Sequence, residues 1–495
     1  MKPALTPIAL AAALALGCDS STTPTPTPDA GQVNDLGAVD AGPLVDVEEL
    51  PDVVLPDVPA PPTWPRELVS ARVMGEARGY RTMRAIIHSH SVHSHDACDG
   101  NPYVDGGPNE PCLQSWRRAM CRSNLDVIFL TEHDDLMATV PFETVLQMRP
   151  GDVPLMEDGQ VVGSSIGCPD GHRVMLLPGA ENPLMPLALR RHPDPVEGSL
   201  SRSYDADGPE AAARFRAAGA LVAIPHVEQV SIEHLREVQP DVIEIYNVHA
   251  NLDPRIAGPH LGFNVGPALA DILQFQRRPS LDPEFLFLTW FTENNNDLRK
   301  WATLLAEGRR IPGIAASDAH ENVLPVPLGD GERGDSYRRV FRWFSNELLV
   351  QGELTRASAL EALRQSRLFV AFEAYGTPVG FSYTATSGSA VSEIGSEVML
   401  TGAPVLRVTR PTVNNLNPTL PVPTTRLRLL RAQVSGEWTE VAAADTGDLS
   451  FTPTTAGVYR AEVRITPNHA RPYLPGLERL IREVVWIYSS PIYVR

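Results

Sequence analysis

The sequence predicts an α/β fold with a small all-β unit behind it, on three observations. Between residues 66 and 375, seven short apolar runs alternate with segments carrying helix punctuation. After Gly376 the pattern changes to partial period-2 alternation broken by Gly, Pro, Asn and Thr. At 495 residues the chain exceeds one ordinary core, and 43% apolar with 21% charged residues is the composition of a folded globular protein.

Residues 1–18 read as an export signal. Lys2 supplies the basic start, 8–16 form the apolar run, and Gly17 precedes Cys18. That run is shorter than the roughly 20 residues a spanning helix needs, and no later stretch is long and apolar enough to cross a bilayer. A cysteine directly after such a run resembles a bacterial lipoprotein cleavage site, where Cys18 would carry the lipid; an ordinary signal peptide is the alternative. Either way an extracytoplasmic protein is expected, in the first case lipid-anchored to a bacterial membrane. Residues 19–65 repeat Thr-Pro, then scatter Pro, Asp and Val without periodicity, and read as a disordered tether. The acidic residues of this stretch, which itself holds no Lys or Arg, supply much of the formal net charge of −18. No basic cluster appears anywhere, so a nucleic-acid partner is not expected.

The apolar runs are 84–87, 125–131, 173–178, 220–225, 241–246, 311–316 and 368–372. Helical segments lie between them at 113–123, 208–218 (Pro209 early, Gly219 as a stop), from the N-cap Ser231 onward, and at 298–308 and 357–366. Short buried strands alternating with helices imply a parallel sheet with crossover connections. Pattern alone leaves open whether that sheet closes. In the tail, 405–410, 425–431, 458–465 and 483–488 read as strands of a β-sandwich over 376–495.

Chemistry concentrates at the ends of the runs. "IIHSHSVHSHD" puts His88 and His90 after the first strand, on one face if the chain stays extended, with His93, His95 and Asp96 following. "FLTEHDD" ends in Glu132 and His133, "LLPGAEN" in Glu181, "VAIPH" in His226, "VIEIYN" in Glu244 and Asn247, "GIAASDAH" in Asp318 and His320. In parallel α/β sheets the carboxyl ends of strands form the functional face, so ligands distant in sequence would meet there. Imidazoles with carboxylates and no cysteine suit Zn, Mn or Fe rather than a structural zinc, and the number of ligands suits two or three ions. A lone histidine at a strand end is usually a surface or hydrogen-bonded residue; six such ends in order are not. His172, His192, His234 and His469 read as solvent-facing, and His249 and His260 remain open.

The ordered set His-x-His, Thr-Glu-His, Pro-Gly-x-Glu, Pro-His, Glu-x-Tyr-Asn and Ser-Asp-x-His resembles the PHP (polymerase and histidinol phosphatase) superfamily of metal-dependent hydrolases. "SHDACDG" (94–100) and the closing "SSPIYV" are similar to its CehA/McbA-type branch. The resemblance covers about 66–375. It implies a distorted (β/α)7 barrel, a site of two or three metals, and hydrolysis of phosphoester or related ester bonds by a metal-activated water. By position it implies that His88, His90, Glu181 and Asp318 bind or bridge metals and that His133, His226 and His320 complete the site, with His95 or Asp96 as the remaining ligand. His226 or His320 would deliver a proton to the leaving group. Two departures stand out: Glu132, placed with the catalytic group, replaces the usual Asp, and Pro225-His226 inverts the common His-Pro. Asn247 and Arg255 are the expected substrate contacts, Arg255 for an anionic small molecule.

Apart from Cys18 there are four cysteines, which allow three pairings. Cys98 with Cys112 and Cys121 with Cys168 is preferred, because the loop between the first two is otherwise poorly anchored; free thiols are the alternative. Two other functions compete. "GSSIG" (163–167) matches a serine-hydrolase pattern around Ser165 but lacks the strand before and helix after. A non-catalytic, surface-anchored metal-containing binding module is the other.

Overall fold

The computed structural model describes residues 61–495, apart from the side chain of Asp135. The export signal, Cys18 and most of the tether therefore lie outside the described residues. Among those described, no helix is long and apolar enough to cross a membrane. The fold is mixed α/β around a large mixed sheet of 18 strands.

Every anticipated run is a strand. The first six, with the short β4 (Met185–Leu187) between the third and fourth, are β1 (Tyr80–Ser89), β2 (Val127–His133), β3 (Arg173–Glu181), β5 (Leu221–Ile224), β6 (Val242–Asn247) and β7 (Gly313–Ala319). The short β4 is an addition to the expected set. β7 runs parallel to β1, β1 to β2 and β2 to β3, while β5 and β6 continue the parallel set to β7 on its other side. β4 pairs antiparallel with β5. It also crosses so close to β3 that a Cβ at Gly179 would collide with the Pro186 carbonyl, which is why "PGAE" needs a glycine there. All seven residues of β2 and all seven of β7 are buried, so their first four residues lack polar alternation and the polar residues come only at their carboxyl ends.

Helices stand where their punctuation places them: Glu110–Arg122, Gly208–Ala217 behind the Asp207 cap, Ile232–Val238 behind Ser231, Asn295–Ala306, and Arg356–Arg364 with a Thr355 capping box.

The seventh anticipated run is not parallel. As β9 (Leu368–Ala371) it pairs antiparallel with β8 (Ser345–Gln351), a strand the sequence conceals, and β8 pairs antiparallel with β1. β8 opens with Ser345, Asn346 and Glu347, polar residues that look exposed in sequence but are buried. Beyond β9 the tail is all-β. β10 (Thr424–Ala432), β11 (Trp438–Ala444), β12 (Gly457–Thr466) and β13 (Val484–Ser489) pair antiparallel in succession β11–β10–β12–β13, and β13 adds to β9. A separate four-stranded sheet holds 382–387, 390–393, 405–409 and 449–451.

Both expected disulfides are present, Cys98–Cys112 and Cys121–Cys168. Ser165 sits in an antiparallel hairpin strand, 160–167, paired with β3, and its hydroxyl accepts a hydrogen bond from Arg173 Nε at 2.8 Å. No strand–turn–helix elbow exists there. His469, expected to face solvent, is fully buried, with Nε2 2.9 Å from the Tyr375 carbonyl and its ring stacked on Trp64.

Candidate metal centre

The carboxyl ends of the parallel strands deliver their polar residues to one place. The β2–β3 register sets His133 opposite Glu181, and the β7–β1 register sets Ala319 opposite Ser89, between the two histidines of His88–Ser89–His90. Two groups result. His88, Glu181, His226 and Asp318 each offer a ligand atom within 4.8 Å of the others, and so do His90, His133 and His320.

In the first group His88 Nε2 lies 3.1 Å from Glu181 Oε2 and 3.4 Å from Asp318 Oδ1, and His226 Nε2 lies 2.7 Å from Glu181 Oε1. In the second, the rings of His90 and His320 stack at 3.7 Å between centroids, and His133 stands 4.7 Å from His90. Asp96 Oδ1 approaches His320 Nε2 at 3.4 Å and His133 Nε2 at 3.6 Å. The groups adjoin, since His90 Nε2 is also 3.2 Å from Glu181 Oε2.

Three of these residues have left-handed backbone: His88 (φ 64°), His226 (φ 47°) and Asp318 (φ 46°). Each costs roughly 1–3 kcal/mol for a residue with a side chain, and such strain concentrates where geometry is held for function. It also changes the reason His88 and His90 converge. A regular pleat was expected to bring them to one face; instead the chain turns at His88, leaving the ring centroids 5.2 Å apart.

The donor set fits cations. The Nε2 atoms of His88, His90 and His320 and Oδ1 of Asp318 are buried and lack a hydrogen-bond partner. Each of the three imidazoles is engaged at Nδ1 instead, by Glu244 at 2.6 Å, Ser94 at 2.8 Å and the Asp318 carbonyl at 3.0 Å. Orphaned buried lone pairs converging on carboxylates are what a metal cage requires.

Electrostatics agree. Burial works against the charged form of His88, but Glu181, Asp318 and Glu244 outweigh it and raise its pKa well above the usual value; His226 rises similarly, mainly through Glu181. Burial opposes ionisation of Glu181 and Asp318, yet the facing histidines hold both well below the usual carboxylate range. His90 faces the other way: burial, then His320 and His133, push it down to about 3. A lowered pKa favours the neutral imidazole, the form that has a lone pair to offer a cation.

The remaining expected residues divide. His95 is exposed, its ring 5.2 Å from that of His133, while Asp96 is nearer the cage. Glu132 does not reach the cage: its fully buried carboxylate takes the Ser91 amide at 2.9 Å, the Ser94 hydroxyl at 2.7 Å and the Ser91 hydroxyl. Asn247 is buried behind the histidines, donating to Glu244 Oε2 at 3.1 Å and capping the His249 amide at 2.8 Å. Arg255 is held by Asp253, with Nη2–Oδ2 at 2.7 Å, and half its side chain is open. His249, left open by the sequence, belongs to the site. Its Nδ1 is 3.0 Å from Asp318 Oδ2, its Nε2 is 3.4 Å from Asp253 Oδ2, and although burial opposes it, Asp253 and Asp318 raise its pKa to about 9. It sits inside a short helix, Val248–Leu252, after β6, where no strand-end pattern singles it out.

No protein-family model matches the chain, and no curated protein matches it. Among solved structures it is similar to a two-domain protein from Bacteroides vulgatus described as containing a predicted PHP-like metal-dependent phosphoesterase. Identity is 13% over 86% of this chain and 98% of that one, with a TM-score of 0.34, too loose a likeness to carry fold or activity.

Proposed function

We propose that the chain is a metal-dependent hydrolase of phosphoester or related ester bonds, in the PHP superfamily and its CehA/McbA-type branch. The observation that carries this reading is the pair of adjoining histidine–carboxylate groups at the ends of the parallel strands. The finer architecture proposed is a distorted (β/α)7 barrel over 66–375 and a β-sandwich over 376–495. An export signal over 1–18, a lipid anchor at Cys18 and a tether over 19–65 would place the enzyme outside the cytoplasm, held to a bacterial membrane, acting on small molecules.

His88, His226 and Asp318 would hold one ion, His90, His133 and His320 with Asp96 another, and Glu181 would touch both; Zn, Mn or Fe suit the donors. Such ions supply Lewis acidity toward a phosphoryl or carbonyl oxygen and lower the pKa of water from 15.7 to about 7. The chain's own part is to orient and to exclude water. His88 and His90 are fully buried and His320 nearly so, leaving His133, Glu181, Asp96 and His226 as the more open side of the cage. The two histidines expected to deliver a proton, His226 and His320, would both be taken up as ligands, so neither is assigned the proton transfer, although His226 is the more open, with a fifth of its side chain exposed. Glu132 serves as a brace rather than as a catalytic group. Arg255, steadied by Asp253, would be the cation that meets an anionic substrate.

The test is metal analysis of the purified chain combined with a panel of phosphomonoesters, phosphodiesters and carboxyl esters, with and without chelator. Chelator-sensitive turnover supports the proposal. Bound metal with no turnover on any ester would mean a non-catalytic module, and chelator-resistant turnover would revive a serine nucleophile.

A further inference from the structure

Glu244 ends a strand beside the expected ligands, and its carboxylate lies behind the cage. One oxygen meets His88 Nδ1 at 2.6 Å; the other accepts the His226 amide at 2.9 Å and the Asn247 side-chain amide at 3.1 Å. One buried side chain thus fixes a ring at one member of the first group and the left-handed main chain at another.

Ser94 does the same for the second group. Its Oγ is 2.8 Å from His90 Nδ1, 2.7 Å from Glu132 Oε2 and 3.1 Å from the His133 amide nitrogen. A hydroxyl has one proton to give. Glu132, an acceptor already taking the Ser91 amide and hydroxyl, receives it, so Ser94 Oγ must accept from His90 Nδ1–H and from the His133 amide. That fixes the His90 tautomer with its Nε2 lone pair toward the cage. All four of Glu244, Glu132, Ser94 and His90 are fully buried, so bulk water cannot substitute for either brace.

We propose that Glu244 and Ser94 are positioning residues, each bracing one of the two metal groups independently of the other. This inference rests on the metal-centre reading above and adds a division of labour to it. Loss of Glu244 leaves His88 free to rotate and His226 without its amide anchor, while His90 and His133 keep theirs. Loss of the Ser94 hydroxyl has the converse effect. Outer partners of this kind alter metal affinity by about 10–100-fold.

The experiment is titration of the metal-stripped full chain with Co2+, read by visible absorption, with Mn2+ equilibrium dialysis in parallel. The variants are Glu244→Gln, which keeps the volume but can accept from only one of its two main partners, Ser94→Ala, and Ser94→Thr, which returns the hydroxyl. Thermal midpoints and circular dichroism check folding, and Glu244→Ala is added where it folds. The expected result is one equivalent weakened 10–100-fold in Glu244→Gln with the other unchanged, the other equivalent weakened in Ser94→Ala, and recovery in Ser94→Thr. Unchanged affinities in folded Glu244→Gln and Ser94→Ala overturn the proposal, as does loss of both equivalents together in each. A wild-type chain that binds no ion overturns the metal centre itself, a result distinct from either of these.

Discussion

Glu181 approaches both groups more tightly than Asp318 does: its Oε1 lies 2.7 Å from His226 Nε2 and its Oε2 lies 3.1 Å from His88 Nε2 and 3.2 Å from His90 Nε2, while Asp318 Oδ1 stands 3.4 Å from His88 Nε2 and 3.5 Å from His90 Nε2. Glu181→Gln keeps the volume and removes the charge. It is expected to lower metal content and to cut ester hydrolysis at least about 100-fold, as loss of a major electrostatic contact does; turnover within tenfold of wild type would contradict the bridging role. The protons on His88 and His226 give a second test. Their raised pKa values reflect carboxylates that, without a cation, stabilise imidazolium. An incoming divalent ion must displace those protons, so affinity should fall as pH falls, by about tenfold per pH unit for each proton released. Calorimetry in buffers of differing ionisation enthalpy counts the protons, and a count of zero refutes the linkage. The ligand types were readable because each ends a strand. What the sequence could not tell was which side of a neighbouring imidazole an acid occupies. Glu244 and Glu132 end strands like Glu181, yet a few ångströms put them behind His88 and Ser94.

β8 shows why an element can be invisible to periodicity. Arg84 on β1 is buried and donates to both oxygens of Glu373, from Nε at 2.7 Å and from Nη2 at 2.8 Å, while Glu347 on β8 stands 3.6 Å away. Two carboxylates face one guanidinium, so burial, with Glu373 adding to it against the pull of Arg84, raises Glu347 to about 8. A carboxyl whose folded pKa exceeds its unfolded value stabilises most below the unfolded pKa, and that contribution erodes as pH rises toward 8. Glu347→Gln removes the titration. Relative to wild type the variant should therefore gain about 1 kcal/mol per pH unit between roughly pH 5 and 8, measured by urea unfolding at several pH values; a constant difference would rule the effect out. The disulfides are separable in the same way. Cys98–Cys112 closes 14 residues and Cys121–Cys168 closes 47, so chain entropy assigns about 3 and about 4 kcal/mol to them. Only the first lies in the Asp96 segment, tying Cys98 to the helix that starts at Glu110 beside the main-chain bonds from Cys98 N to His320 O at 2.9 Å and from Asp99 N to Glu321 O at 3.0 Å. Paired serine replacement of Cys98 and Cys112 should weaken metal binding by the His90 group, and replacement of Cys121 and Cys168 should leave it intact, as dialysis would show.

The largest structural unit is a sheet that crosses the boundary at 375–376 where the sequence changes character. Across it, β13 pairs with β9, the Phe372 amide donates to the Trp486 carbonyl at 2.9 Å, and Arg464 of β12 reaches Glu293 at 2.7 Å. The aromatic core under this seam gathers Tyr246, Phe291 and Phe372 with Tyr488 against them. Tyr246 is two residues from Glu244 on β6, so the strand that carries the brace behind His88 also carries part of the cluster that the tail covers. Cutting the chain after residue 375 would leave β9 as an exposed hydrogen-bonding edge and uncover Phe372. The expected outcome is that residues 61–375 alone aggregate or unfold without a cooperative transition, and that adding 376–495 as a separate polypeptide restores soluble, metal-binding protein in a one-to-one complex. Size-exclusion chromatography with light scattering and a thermal scan decide it. If the shorter piece is monomeric and melts at the full-length midpoint with its metal sites intact, the seam contributes nothing to the cage. The two character classes in the sequence would then be two independent domains. If it fails alone and is rescued by its partner, the shift from alternating helices and strands to period-2 alternation marks a change of local structure inside one cooperative body.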